Sequence, residues 1–160
     1  MYSTKLNHRT NRYIVKCIVN NKGPKFVDFV VDTGAKYTCC SFLSVDTSMQ
    51  EADFAKEESK SLGGIVSGEV IKVYKYHISQ FTVGTVDMGR RDIWITFDSR
   101  VSDDVLGMDI LSDIYFYQDA NNHTLFFYKH ELLFDLQRSE DRANREGWIQ
   151  EDAFDSEIGF

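Results

Sequence analysis

Short runs of alternating apolar and polar residues recur along the chain, separated by clusters of Asn, Asp and Gly, the pattern of strands joined by turns. In the segment 13–19, Tyr13, Val15, Cys17 and Val19 fall on one face. Asn20-Asn21-Lys22-Gly23 then has hairpin-turn chemistry, because Asn and Gly tolerate positive φ. A second strand, 26–31, runs directly into Asp32-Thr33-Gly34. The segment 48–60 is charged with a thin apolar face (Met49, Ala52, Phe54, Ala55) and reads as a short helix or loop. Leu62-Gly63-Gly64-Ile65-Val66-Ser67-Gly68 follows as a glycine-rich loop. Both faces of 69–76 are partly apolar, and further strands are expected at 81–86 and 93–97. Val105 to Leu111 is an apolar run interrupted by Gly107, and 114–117 with 124–128 makes a last hairpin turning at Asp119-Ala120-Asn121-Asn122. About seven short strands with turns between them predict a small all-β domain, closed and barrel-like.

The boundaries expected from this pattern are a polar N-terminal segment (1–12), one folded domain (13–129) and an acidic C-terminal extension (130–160). In the extension Leu132, Leu133 and Leu136 have helical spacing, and Phe134, Trp148, Phe154 and Phe160 follow in an acidic context. The expectation there is an amphipathic helix and a solvated tail. An alternative role is a cleft-filling or cleavable segment.

Charge narrows the partners. The net charge is -7, and residues 130–160 hold nine acids against three arginines. No basic face of the kind that nucleic acid requires is present, so nucleic acid is set aside. A hydrophobic fraction of 42% supports a real core. No run approaches the ~18 apolar residues of a membrane span, and Met1 to Arg12 lacks the apolar stretch of a signal peptide. The three cysteines, Cys17, Cys39 and Cys40, are an odd number with two adjacent, which fits a reducing compartment. A cytoplasmic protein without membrane partners is expected.

The stretch Phe29 to Ala35 carries the chemistry. A strand delivers the carboxylate of Asp32 into a tight turn, where Thr33 and Gly34 follow at once. A carboxylate at the end of an apolar run is costly unless something satisfies it. Glycine permits close backbone approach, and its amide can face that carboxylate. The threonine hydroxyl can tie to a neighbouring chain.

Val30-Val31-Asp32-Thr33-Gly34-Ala35 resembles the active-site signature of the retropepsin-like aspartic peptidases. Val105-Leu106-Gly107-Met108-Asp109-Ile110-Leu111 is similar to that family's downstream apolar-apolar-Gly segment, which threads behind the catalytic loop and precedes a short helix. The glycine-rich loop at Gly63, Gly64 and Gly68 lies between the two, where the family places its flap. The resemblance covers roughly residues 13 to 129. It implies an acid-protease lobe with one short helix after Leu106-Gly107-Met108-Asp109. Asp32 would be catalytic, Thr33, Gly34, Ala35 and Gly107 would support the active-site loop, and Gly63, Gly64, Ile65 and Gly68 would form a substrate-binding flap. Two departures stand out. Viral members often pair an acid after Asp-Thr-Gly-Ala with an arginine after the downstream glycine, and this chain has Lys36 and Met108 there. The C-terminal extension has no counterpart in the minimal domain.

One lobe provides one such aspartate, whereas two carboxylates sharing a proton are needed. Val45-Asp46-Thr47-Ser48 mimics the motif within the same chain but has Ser48 in place of glycine, and it lies too close to Asp32 for a duplicated lobe. It reads as a turn or helix cap. A two-fold homodimer pairing Asp32 with its copy is the economical arrangement. The expected activity is an aspartic endopeptidase acting on polypeptide substrates, with neither metal nor organic cofactor. The alternative is an inert peptide-binding or assembly module of the same fold, because the Lys36 cation would favour two ionised carboxylates.

Other residues read more plainly. Asp109 is expected to cap the helix near Ile110. His8, His77, His123 and His130 show no metal-ligand spacing. Cys39-Cys40 has no histidine placed as a base and is expected to be buried.

Overall fold

The computed structural model describes residues 1–129. The amphipathic helix and tail expected over 130–160 lie outside the described residues. In chain order the strands are β1 (Tyr2–Asn7), β2 (Arg12–Asn20), β3 (Pro24–Val31) and β4 (Cys39–Ser41), followed by a one-turn helix α1 (Phe42–Val45) and a 3-10 turn (Glu51–Phe54). Then come β5 (Ser59–Val66), β6 (Glu69–Ile78), β7 (Gln80–Val83), β8 (Val86–Asp87), β9 (Arg91–Thr96) and β10 (Val105–Leu106). Helix α2 (Met108–Leu111) and the hairpin β11 (Tyr115–Asp119) and β12 (Thr124–Tyr128) complete the set.

The expected all-β lobe with a short helix after the Gly107 segment is present. Closure is not. The pairing path runs β11-β12-β1-β2-β3-β10-β4-β9-β6-β5 and ends on two unjoined edges, those of β11 and β5. The reason lies in β2, which forks the sheet. Its start pairs with β1 through Arg12 and Tyr13, while Cys17 to Asn20 pair with β7. A strand that divides one edge between two neighbours cannot supply the continuous stagger that closing a barrel requires.

Strand alternation accounts for the core. Val15, Cys17 and Val19 of β2 are buried against Val27 and Phe29 of β3, with Phe81, Ile93, Ile95, Leu106, Ile110, Leu125 and Phe127 around them. A second, smaller cluster of Cys39, Ile71, Val73 and Trp94 lies under β5 and β6, with Tyr37, Leu62, Val66 and Val101 packed on it. Residues on both faces of β6 are therefore used, as its two-sided apolar pattern implies.

Several elements differ from the sequence reading: the stretch expected as one strand over 81–86 is a hairpin of β7 and β8 turning at Gly84 and Thr85, and β4 and α1 are additional. Tyr2–Asn7 forms a strand between β12 and β2, although its sequence is polar. Its anchor is Tyr2, whose ring sits directly over Gly84, at the turn between β7 and β8. The segment 48–60, read as a short helix or loop, holds a 3-10 turn as expected, and only its end departs, where β5 begins at Ser59. The glycine-rich loop is a hairpin: β5 and β6 pair from Ser59 to Val66, with a register irregularity between Gly63 and Val66 and a tight turn at Ser67-Gly68. Gly64 and Gly68 have φ of 86° and 72°, the region open to glycine, which explains the composition.

What positions the site is one parallel pairing. Val30 and Val31 of β3 lie beside Val105 and Leu106 of β10, so the two strand ends deliver Asp32 and Gly107 to the same place.

Candidate active site

Asp32 follows the last residue of β3 and is exposed. Its own amide donates to Leu106 O at 3.0 Å, and its carbonyl accepts from Ala35 N at 3.1 Å, which closes the turn. The Gly34 amide donates to Asp32 Oδ1 at 2.9 Å. A Cβ on Gly34 would stand 3.2 Å from that same oxygen, so glycine leaves the carboxylate room. Thr33 is exposed, and among the described residues its hydroxyl has no hydrogen-bond partner.

Gly107 sits behind this loop, buried. A Cβ there would lie 2.6 Å from Tyr37 C and O and 2.9 Å from Ala35 O. Its φ of -104° is open to any residue, so close approach rather than backbone conformation requires glycine. Around it the loop is tied to α2: Met108 N donates to Ala35 O at 2.8 Å and Asp109 N to Lys36 O at 3.1 Å. The Gly107 amide donates to Thr38 Oγ1 at 3.0 Å, and Thr38 Oγ1 in turn donates to Asp109 Oδ1 at 2.6 Å.

Asp109 was expected to cap the helix near Ile110. The N-cap position belongs to Gly107, and the Asp109 carboxylate divides its capacity. It accepts one helix amide, Ile110 N at 2.9 Å, while Thr38 takes the rest through its amide and hydroxyl. Asp46 behaves as a turn residue, as read: it follows α1 as its C-cap and accepts from Ser48 N at 2.9 Å and Ser48 Oγ at 2.6 Å.

A cleft of about 350 Å³ is lined by Asp32, Gly34 and Ala35 together with Val30, Val31, Tyr37 and Val105 and with Gly63 and Gly64 of the β5–β6 hairpin. Gly107 does not line the cleft; it braces the loop from behind. Thr33 and Gly68 are not among the lining residues either, and Ile65 lies within β5. Sequence reasoning missed Arg12, Ser102, Asp103 and Tyr37, which also line the cleft. Arg12 and Asp103 pair at 2.6 Å across 91 residues of sequence, a separation that local pattern cannot bridge.

A larger cavity of about 530 Å³ lies elsewhere, lined by Lys22, Lys25, Asp46, Asp53, Phe54 and Tyr76 among others, and contains none of the residues around Asp32. Among the described residues no His, Cys, Asp and Glu side chains gather as metal ligands would, and no helix is long and apolar enough to cross a membrane.

Against this geometry stand two matches. The sequence model of a family described as "Aspartyl protease" matches residues 15–110. The fold is similar to the crystal structure of a retropepsin-like aspartic protease from Rickettsia conorii, with a TM-score of 0.54 at 17% identity, covering 78% of this chain and 87% of that one. Comparison with curated proteins gives no match. The matched region spans the Asp32 turn, the hairpin and the Gly107 segment together, and the chain belongs to the aspartyl protease family, with the fold of a retropepsin-like lobe.

Proposed function

We propose that the protein is an aspartic endopeptidase that works as a two-fold homodimer, with Asp32 and its copy forming the catalytic dyad. The observation that carries this reading is the Asp32 carboxylate, exposed at a strand end, held by the Gly34 amide and sharing its cleft with a glycine hairpin. A single carboxylate does not suffice for this chemistry. The other acid in the cleft, Asp103, is held by Arg12 at 2.6 Å, and Asp46 lines the other cavity. Among the described residues no further carboxylate lines the cleft, and a second copy of the chain is the source this reading adopts. Asp32, Thr33 and Gly34 are exposed side by side, so a partner can approach along this surface, and the free Thr33 hydroxyl is available to bond across it.

Two carboxylates in proximity share one proton, because both cannot easily ionise. The ionised member takes a proton from water as the water oxygen attacks the peptide carbonyl carbon. The protonated member gives its proton to the carbonyl oxygen. Collapse of the resulting diol returns a proton to the amide nitrogen as the C–N bond breaks. Gly34 serves by fixing one carboxylate oxygen, and Ala35 and Gly107 by fixing the loop. The hairpin carrying Gly63, Gly64, Ile65 and Gly68 acts as a flap. An extended polypeptide would lie between flap and floor as an added strand, with apolar side chains against Val30, Val31 and Val105.

A second reading keeps the fold but not the cutting, and Lys36 motivates it. A cation beside the dyad favours two ionised carboxylates and opposes proton sharing. The deciding experiment is digestion of a diverse peptide library by wild type and Asp32→Asn from about pH 4 to 7, the range in which such dyads titrate. Cuts made by wild type alone support the peptidase. Silence from both folded proteins moves the assignment to a peptide-binding module, and equal cutting by both removes Asp32 from the chemistry.

A further inference from the structure

The wall of the cleft at Tyr37 carries charge that the chemistry above does not use. Lys60 of β5 places its ammonium 3.7 Å from the centre of the Tyr37 ring and 4.0 Å from that of Trp94. Lys36 approaches the same Tyr37 ring at 5.4 Å. Aromatic faces attract a cation but do not neutralise it. Neither lysine has a carboxylate partner among the described residues, whereas neighbouring Lys75 pairs with Glu58. Asp109 of α2, whose amide bonds Lys36 O, has its carboxylate turned to Thr38 and Ile110. Elsewhere in the lining Arg12 and Asp103 cancel. Positive charge is therefore gathered about Tyr37, and the acid that feels Lys60, Glu58, is held below its usual range chiefly by its own bond to Lys75.

This placement is built rather than accidental. Tyr37 and Leu62 pack on the cluster of Cys39, Ile71, Val73 and Trp94, which fixes the ring that holds Lys60. Lys60 is half-buried, so its stem is packed and its position restricted. The Tyr37 phenol titrates below its ordinary value, chiefly through hydrogen bonding with the Lys60 ammonium and with further help from Lys36. Both Tyr37 and the β5 residues Gly63 and Gly64 line the same cleft as Asp32. Lys60 precedes Gly63 by three residues, about 10 Å along an extended strand. A substrate strand lying along β5 would pass Lys60 about three residues from those under the glycines.

We propose that Lys36 and Lys60, set about the Tyr37 ring, form a subsite for an acidic substrate side chain, so that the protein selects peptides bearing Asp or Glu a few residues from the scissile bond. This rests on the peptidase reading for its consequence, cleavage, but the recognition itself requires only that peptide enter the cleft. Basic side chains at that position are rejected by the same two cations.

The test uses the full chain and matched peptides in which Glu or Gln is scanned through the positions flanking a cut site. Cleavage by wild type is measured as kcat/KM, and binding of the same peptides is measured on Asp32→Asn, which keeps the cleft. At one or two positions Glu should exceed Gln by about three- to fivefold at low salt, the scale of an exposed ion pair. The advantage should shrink as salt is added. In Lys60→Gln and Lys36→Gln the Glu-to-Gln ratio should fall toward unity, while Lys60→Arg retains it. Equal handling of Glu and Gln at every position, or a ratio unchanged in both lysine variants, overturns the proposal. If wild type cuts nothing, the binding arm still decides: tighter Glu binding sustains the subsite while the peptidase reading fails, and equal or absent binding overturns the subsite as well.

Discussion

Thr38 and Asp109 are joined through both the amide and the hydroxyl of the threonine, at 2.9 and 2.6 Å to the same carboxylate oxygen. The hydroxyl also accepts the Gly107 amide at 3.0 Å. One fully buried side chain thus satisfies a donor from the segment behind the loop and an acceptor from α2. Replacing Thr38 by Val keeps the shape but leaves the Gly107 N–H without its acceptor and removes a donor from Asp109. A buried group left unsatisfied costs about 1–3 kcal/mol. Thr38→Val should be destabilised by that order in urea unfolding, and Thr38→Ser, which keeps the hydroxyl, by clearly less. Equal loss in the two variants would show that the methyl group, not the hydrogen-bond relay, is what the fold uses.

Gly107 and Gly63 both flank the candidate site, and the structure separates them. A Cβ on Gly107 meets the Tyr37 backbone at 2.6 Å, and backbone cannot step aside without moving the Asp32 loop. On Gly63 it would meet only Val70 Cγ1 at 3.8 Å, an ordinary contact. Gly107→Ala is expected to cost about 1–3 kcal/mol as overpacking and to displace the loop. Gly63→Ala should stay within about 1 kcal/mol of wild type, since strand glycine is intrinsically the weaker choice. Thermal unfolding of the two variants gives the comparison, and a Gly107→Ala protein as stable as Gly63→Ala would contradict the bracing role.

How far this was legible follows from how local each signal is. The strand leading to Asp32, the turn at Gly34 and the glycine behind the loop are short contiguous patterns, so they could be read directly. The β5–β6 hairpin was read as a loop because glycines interrupt its alternation; pairing with β6 overrides their low strand preference. Tyr2–Asn7 escaped because its sequence is polar, and its strand is fixed from outside by β12 and by the Tyr2 ring over Gly84. Closure was wrongly expected because the number of strands says nothing about the fork in β2. Thr38, Tyr37 and the Arg12–Asp103 pair gain their meaning only from partners distant in sequence, as Lys60 does beside Tyr37 and Trp94.

The cysteines offer a chemical test of the core. Cys17, Cys39 and Cys40 are unpaired and buried. Burial is the main cause raising each thiol above its usual range, Cys39 to about 12. Since the thiolate is the reactive form, the native protein should leave all three thiols unmodified by a thiol-specific disulfide reagent at neutral pH. The same reagent in denaturant should titrate them fully. Rapid labelling of native Cys39 or Cys40 would mean that the β4 region opens readily, since Cys39 and Cys40 pair there with Trp94 and Ile95.

His77 ties stability to pH. It stands opposite Asp92 across the β6–β9 pairing, with Nδ1 2.6 Å from Asp92 Oδ1 and Nε2 3.3 Å from Glu57 Oε2. Hydrogen bonding to Asp92 is the largest cause raising its folded pKa above the ordinary 6.5, and Glu57 adds to it. The protonated form is therefore preferred by the folded state. That contribution is complete below the unfolded value and is lost as pH rises through the higher folded one. Because the side chain is 61% exposed, solvent screening holds the effect below about 1 kcal/mol. Urea midpoints measured at about pH 5.5 and about pH 8.5, either side of the imidazole range, should show wild type losing more stability with rising pH than His77→Gln. Added salt should narrow that difference, because the charges are solvent-facing. A variant with the same pH slope as wild type would assign the slope to other groups, and the His77–Asp92 pair would then be a contact without a protonation preference.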